Sequence, residues 1–310
     1  MNELFKSIIT GFKAKFKVGM EKTDTALMDR IATVYPSTTG YENYGWLVKL
    51  QGMKEWLGER IFAKAAKRAM RVRNRKWSTA ISMDIDDFED NKAGPYGQAF
   101  EAIGVEAANL WPDLSNQALL LNSGWVDGKK FFAADRVYGK ATICNAVTTA
   151  FSYAAVVTAL ATVKAYKGEN GSSLKVRPDL LVVGPALEND ARLLATADKL
   201  IIGGEEQQNT LKGAFDVMVN PEFTDTFANV WMLMDTKKVV KPVGVQKRQE
   251  AALVFYTDDT CECVKIRDQY DAAAKARGSS FLTLPHLIYR GGIAVASGDA
   301  GDFIDVATEG

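Results

Sequence analysis

The chain of 310 residues is long enough for one large or two ordinary domains, and 47% apolar with 25% charged residues is the composition of a globular protein with its own core. Lys plus Arg equals Asp plus Glu, 38 each, so there is no basic excess of the kind a dedicated nucleic-acid binder carries, and the near-zero net charge favours self-association. Cys144, Cys261 and Cys263 give no disulfide framework. No apolar run approaches the ~18 residues of a membrane span and the N-terminus lacks a signal-peptide core, which points to a cytoplasmic product without a membrane partner.

Met1–Lys17 places Leu4, Phe5, Ile8, Ile9, Phe12 and Phe16 on one helical stripe. Such a stripe suits a membrane-surface helix or an arm docked on a protein partner. Only four lysines accompany it, which favours the arm, with Phe5 and Phe12 as candidate contacts to a neighbour. Thr23–Tyr35 is a second short helix or a linker, and Tyr35–Gly40 is a break. Tyr41, Tyr44, Trp46 and Trp56 follow within Tyr41–Gly58; aromatics this dense anchor a core or an interface. A base-stacking platform is the competing reading, disfavoured by the acids that follow.

The charge then separates into blocks. Arg60–Lys76 holds eight Lys or Arg in seventeen residues and no acid, and Asp84–Asp90 holds five acids in seven. Met70 and Val72 alternate with Arg71 and Arg73. After Asn74-Arg75-Lys76, a polar turn candidate, Trp77, Thr79, Ile81, Met83 and Ile85 share one face. This alternation predicts an antiparallel hairpin with a cationic tip, lying on another surface because a lone hairpin is marginal in water. Tyr96, Phe100, Ile103, Ala107 and Leu110 then step as one face of an α-helix that opens at Gly94-Pro95. The helix is expected to kink or restart at Pro112 and to resume from Asp113 to Leu121.

Further on, Phe131–Arg136 is a short buried segment, Ser152–Tyr166 a helix, Lys167–Ser173 a flexible link and Leu180–Val183 a buried strand. Pro185–Leu200 is helical and Ile201–Leu211 is a polar surface loop. Phe215–Val219, Trp231–Met234, Val239–Val245 and Ala251–Tyr256 are strand candidates. Cys261–Arg267 alternates as a strand, a polar link follows, Phe281–Tyr289 is again apolar, and Ser297–Gly310 is small, acidic and expected to be a loose tail.

Chemistry is scarce. A single histidine, His286, excludes HExxH zinc sites and two-histidine mechanisms, and its apolar setting suits a core position. Cys261-x-Cys263 is a weak metal signal. Gly124–Lys130 has the wrong spacing for a phosphate loop, and neither GxSxG nor GxGxxG is present. Asp84, Asp86, Asp87, Glu89 and Asp90 lack EF-hand spacing. Paired carboxylates for hydrolysis have no positive support. The expectation is no enzyme, no cofactor and no metal. The complementary blocks instead suit head-to-tail contacts between copies: Arg71, Arg73, Arg75 and Lys76 on one side, Asp84, Asp86, Asp87, Glu89 and Asp90 on the other.

The order of segments resembles the major head (capsid) subunit of Mu-like phages, the gpT family, over about Met1 to Gly292. The resemblance is carried by Tyr44–Leu47 (YGWL), Glu55–Arg60 (EWLGER), Met83–Asp90 (MDIDDFED), Gly94–Gly97 (GPYG), Phe131-Phe132, Ala276–Gly278 and Leu284–Gly292 (LPHLIYRGG). It implies the α+β Hong Kong 97-like capsid fold. The implied parts are an N-terminal arm (1–40), an E-loop hairpin region (41–93), a peripheral domain with the spine helix (94–177), an axial domain (178–260), C-terminal strands returning through the body (261–296) and a flexible tail (297–310). Also implied are hexamers and pentamers of the chain closing an icosahedral shell around double-stranded DNA in the virion, assembled in the host cytoplasm. Scaffold, portal and decoration proteins are further partners, and a neutral subunit with local basic patches suits non-specific contact with packaged DNA. An encapsulin-like compartment is the alternative on the same fold, and a carboxylate-dependent hydrolase the remote one. Arg136 stands where the family pattern leads one to expect a His-Pro pair, and Phe62–Arg68 is more basic than expected.

Overall fold

The computed structural model describes residues 3–45, 68–90, 94–138, 141–168, 171–202, 204–258, 260–292 and 304–308. The chain begins with helices α1 (Glu3–Glu21) and α2 (Ala26–Ile31) and strands β1 (Ala32–Pro36), β2 (Tyr41–Tyr44), β3 (Arg68–Arg73) and β4 (Arg75–Asp84). Helices α3 (Ile85–Glu89) and α4 (Tyr96–Leu120), strands β5 (Arg136–Tyr138) and β6 (Ala141–Ile143), helix α5 (Tyr153–Lys164), strand β7 (Leu180–Val183) and helix α6 (Glu188–Thr196) follow. Then come β8 (Lys199–Ile202), β9 (Glu205–Gln208), β10 (Asp216–Val219), β11 (Trp231–Met234), β12 (Val243–Tyr256), α7 (Glu262–Arg267), β13 (Gln269–Leu282), β14 (Ile288–Gly291) and β15 (Ile304–Thr308).

Two four-stranded sheets carry the molecule. The first runs β1-β12-β13-β4, with α1 and α4 layered on it. Its strands alternate, as half-buried strands must: β4 hides Met83 and half-hides Trp77, Thr79 and Ile81, while Ser78, Ala80 and Ser82 face solvent. The second runs β10-β7-β11-β14. Every residue of β7, β11 and β14 is buried, so these strands read as continuous apolar runs. Val156, Leu160 and Val163 of α5 and Leu194 of α6 pack in the same cluster as Leu181, Val183, Trp231 and Tyr289. Ser152 caps α5 by accepting a hydrogen bond from the Ala155 amide at 3.2 Å. Arg30 of α2 ties the two halves together, donating to Asp179 Oδ2 at 3.0 Å and Asp216 Oδ2 at 2.6 Å.

Helix α4 runs through Pro112 without a break. Trp111 and Leu114 are buried on either side of the proline and hold it in place. Gly278 leaves room for the Trp111 ring, which lies 2.7 Å from where a Cβ would stand.

Several expectations are overturned. The predicted hairpin does not form. β3 pairs antiparallel with β2 (Tyr41↔Arg73 to Tyr44↔Met70), whereas β4 pairs with β13 (Asp84↔Gln269 to Arg75↔Gly278). Asn74 is therefore a crossing between sheets, not a turn. Its buried amide donates to Ser37 Oγ at 2.7 Å and Thr39 O at 2.9 Å and accepts from Gln246 Nε2 at 2.8 Å. The β2–β3 connection, with Trp46, Trp56 and Arg60–Lys67, lies outside the described residues.

Thr23–Tyr35 contains strand β1 as well as α2, and the helix after Pro185 ends at Thr196. The surface loop proposed for Ile201–Leu211 takes in the end of β8 and all of β9, which pair as a hairpin with Gly204 at φ 88° in its turn. Of Cys261–Arg267, expected as a strand, Glu262–Arg267 is helical, because so few residues cannot separate the two periods. The polar link after it is most of β13, and of the strands expected at Val239–Val245 and Ala251–Tyr256 the first begins only at Val243 and both belong to one strand, β12. The tail is not wholly loose: Ile304–Thr308 pairs antiparallel with β3.

Candidate inter-subunit surfaces

Strand β4 runs between the two charge blocks: Arg71 and Arg73 lie on β3, Arg75 and Lys76 open β4, and Asp84 closes it just before α3. At the basic end Arg73 and Lys76 are exposed and Arg75 is half-buried. Arg71 lies 4.6 Å over the ring of Tyr41 and donates to Asn43 Oδ1 at 3.3 Å, which fixes its guanidinium on the strand surface. At the acidic end Asp84 caps α3 by accepting from the Asp86 amide at 3.1 Å. Asp87 accepts from the Tyr96 hydroxyl at 2.6 Å, and that hydrogen bond raises the phenol's pKa. Asp86 and Asp90 are exposed, and Glu89 is the last residue of α3.

Eight residues at a strand rise of ~3.3 Å separate Lys76 from Asp84 by ~26 Å. That is beyond the ~8–10 Å reach of charge in physiological salt. Lys76 and Asp84 therefore do not neutralise each other within one chain.

The arm helix faces inward. The Phe5 ring lies 4.9 Å from Tyr270 and 5.6 Å from Phe88, and Phe12, 6% exposed, stacks on Phe100 at 4.5 Å. Both rings anchor the arm to its own body in this conformation. The crossing of α1 and α4 is glycine on glycine: a Cβ on Gly104 would sit 2.2 Å from the Phe16 carbonyl oxygen, and one on Gly19 2.0 Å from that of Glu101. Lys22 and Lys15 pair with Glu101 beside the crossing. Lys13, Lys15 and Lys17 remain on the exposed side of the helix.

The remaining candidates have structural surroundings. His286 is half-buried, and desolvation of its ring, with Lys238 nearby, drives its pKa down to about 4, so it is neutral at physiological pH. Among the described residues no three His, Cys, Asp or Glu side chains come together as a metal site. Gly124–Lys130 closes as a tight turn, with Gly128 at φ 82° and a bridge between its ends. Arg136, the departure from the family pattern, is buried at the heart of this turn. It pairs with Asp127, donates to the carbonyls of Lys130 at 2.6 Å and Phe131 at 3.1 Å, and lies 4.8 Å over the Trp125 ring. A cleft between α4 and the first sheet has alanines for a floor (Ala107, Ala251, Ala274, Ala276). Glu106 and Asp113, both exposed, also line it. Although its tip is exposed, partial desolvation against the cleft raises the Asp113 carboxyl, and neighbouring Glu222 and Glu106 add to the shift.

The segments that sequence reasoning missed are the ones that set this geometry. β13 fixes β4 in place, and no strong apolar alternation marked it.

The sequence matches the family model of the Mu-like prophage major head subunit gpT over residues 5–150 and 138–223. It is 31% identical over 139 residues to the Mu-like prophage FluMu major head subunit of Haemophilus influenzae, covering 44% of this chain and 45% of that one. It is 30% identical over 131 residues to the major capsid protein of Escherichia phage Mu, covering 41% and 42%. The matches thus span less than half the length of these curated relatives. Among solved structures, the procapsid of bacteriophage JBD30 superposes with a TM-score of 0.59 at 20% identity, covering 96% of this chain and 77% of that one. A virus-like particle from Pyrococcus furiosus gives 0.53 at 9% identity, covering 90% and 96%. The architecture is the α+β Hong Kong 97-like fold of phage capsid subunits.

Proposed function

The chain belongs to the Mu-like prophage major head subunit gpT family, and from that membership we propose that it is the major capsid protein of a tailed double-stranded DNA phage or prophage. Copies of the chain associate as hexamers and pentamers and close an icosahedral head that encloses the genome. The observation that carries this reading is the family match from residue 5 to residue 223 on a chain with the capsid fold. Fold alone serves a protein-filled compartment equally well, and the family match is what favours the phage head over that alternative.

In this reading residues 1–40 are the arm, 41–93 contain the extended loop, 94–177 form the peripheral domain around α4, and 178–260 form the axial domain. Residues 261–296 return through the body. The charge blocks join copies: Arg71, Arg73, Arg75 and Lys76 of one meet Asp84, Asp86, Asp87, Glu89 and Asp90 of another. Each exposed pair contributes only ~0–1 kcal/mol, so many must act together and the association should weaken as salt rises. The exposed lysines and arginines also suit sequence-independent contact with packaged DNA, and scaffold, portal and decoration proteins complete the head in the infected host's cytoplasm. Sedimentation velocity over a range of concentration and salt tests the core of this. Five- and six-membered rings or larger species at low salt are expected, and monomers under every condition would contradict it.

A further inference from the structure

The two edges of the first sheet are unlike. β1 is five residues long, pairs parallel and ends in Pro36, which blunts it against further pairing. β4 is ten residues long and holds an unbroken ten-pair register with β13. It contains no proline, and between Lys76 and Asp84 it carries no charge. Helix α4 lies chiefly over β13, so Trp77, Thr79 and Ile81 stay half-exposed along the edge. A long, regular edge of this kind is a template for another strand.

We propose that β4 pairs antiparallel with β4 of a second copy across a two-fold axis at Ala80, joining two four-stranded sheets into one. This deepens the shell reading by naming one contact between subunits. The register follows from parity and charge. A continuous sheet keeps side chains on their own faces, so even-numbered residues must oppose even-numbered ones. With Ala80 opposite Ala80, Lys76 meets Asp84 twice and Ser78 meets Ser82 twice on the exposed face. On the other face Trp77 meets Met83 and Thr79 meets Ile81. The next allowed registers lose this match: one sets Lys76 against Ser82, the other Ser78 against Asp84. Each matched cross-strand pair is favourable, and the two-fold axis makes every one of them occur twice.

Cysteine cross-linking of the full chain tests it. Residues 77–92 lie between tryptic sites and contain no native cysteine, so a disulfide-linked pair of these peptides is unambiguous by mass spectrometry. Ala80→Cys should link to itself under mild oxidation. Ser78→Cys and Ser82→Cys should each fail to self-link, because like positions stand ~13 Å apart along the paired strands, too far for a disulfide. A mixture of the two should link 78 to 82. Lys76→Asp or Asp84→Lys alone should lower the Ala80→Cys yield about fivefold, and both in one chain should restore it. Shells that form without the 80–80 link, or self-linking at 78 as strong as at 80, would overturn the pairing while leaving the shell reading in place. Linked pairs that never grow beyond two copies would support the pairing and overturn the shell reading.

Discussion

The two four-stranded sheets show what a closed and an open core look like in one chain. β10-β7-β11-β14 is built from four-residue strands, three of them wholly buried. Trp231 sits at the centre with its indole donating to Thr149 O at 3.2 Å and its ring filling the space a Cβ on Gly291 would need. β1-β12-β13-β4 has strands of up to fourteen residues, a solvent face of Ser, Ala and charge, and at β4 an edge that no described strand pairs with. The first satisfies itself. The second leaves charge, edge and half-exposed apolar side chains available to another molecule. Stability should therefore reside mainly in the closed sheet and association in the open one.

The strongest way to break this contrast is at the closed core. Trp231→Ala should cost ~3–5 kcal/mol in denaturant unfolding of the subunit, as expected for losing a fully buried aromatic. A loss under 1 kcal/mol would mean that the sheet is not the stabilising centre. His286 in the same half gives a pH signature. Its folded pKa near 4 lies below the ordinary ~6.5, so the unfolded chain takes up the proton first. Its contribution is complete above pH 6.5 and disappears as pH falls to about 4, up to ~3 kcal/mol in all. His286→Leu should flatten stability over that window, and an unchanged slope would place the acid sensitivity elsewhere.

In the open half the arm should detach before the body unfolds. Gly104→Val puts a side chain into the Phe16 carbonyl and should weaken the α1–α4 crossing by ~1–3 kcal/mol. Faster hydrogen exchange confined to residues 5–20 is expected, whereas global loss of protection would contradict a separable arm. The smallest effect on the fold belongs to the charges. Arg71→Glu with Arg73→Glu should leave subunit stability within ~0.5 kcal/mol and still reduce salt-sensitive association seen by light scattering. Unchanged association would remove the arginines of β3 from the contact.

The closed half was the more legible in sequence. β7 and β11 are short continuous apolar runs and α5 has a clear helical stripe, so local pattern and final burial coincide. The open half misled at particular residues. β13 buries Ala272, Ala274, Ala276 and Ser279, whose small side chains carry little strand signal, because their burial depends on the helices above them. Asn74-Arg75-Lys76 has turn chemistry, yet Asn74 uses its amide to stitch two sheets and redirect the chain. β15 is five residues in a small, polar segment, and only its pairing with β3 identifies it as a strand. The charge blocks were plain in sequence, but their separation along one strand was not, since it depends on β4 being straight and paired from end to end.

Electron microscopy of the purified chain at low and high salt tests the central claim most directly. Rings of five and six or closed shells at low salt, thinning as salt rises, are predicted. A uniform field of monomers in both conditions, from protein shown to be folded, would contradict the claim that the open half is built to be completed by other copies of the same chain.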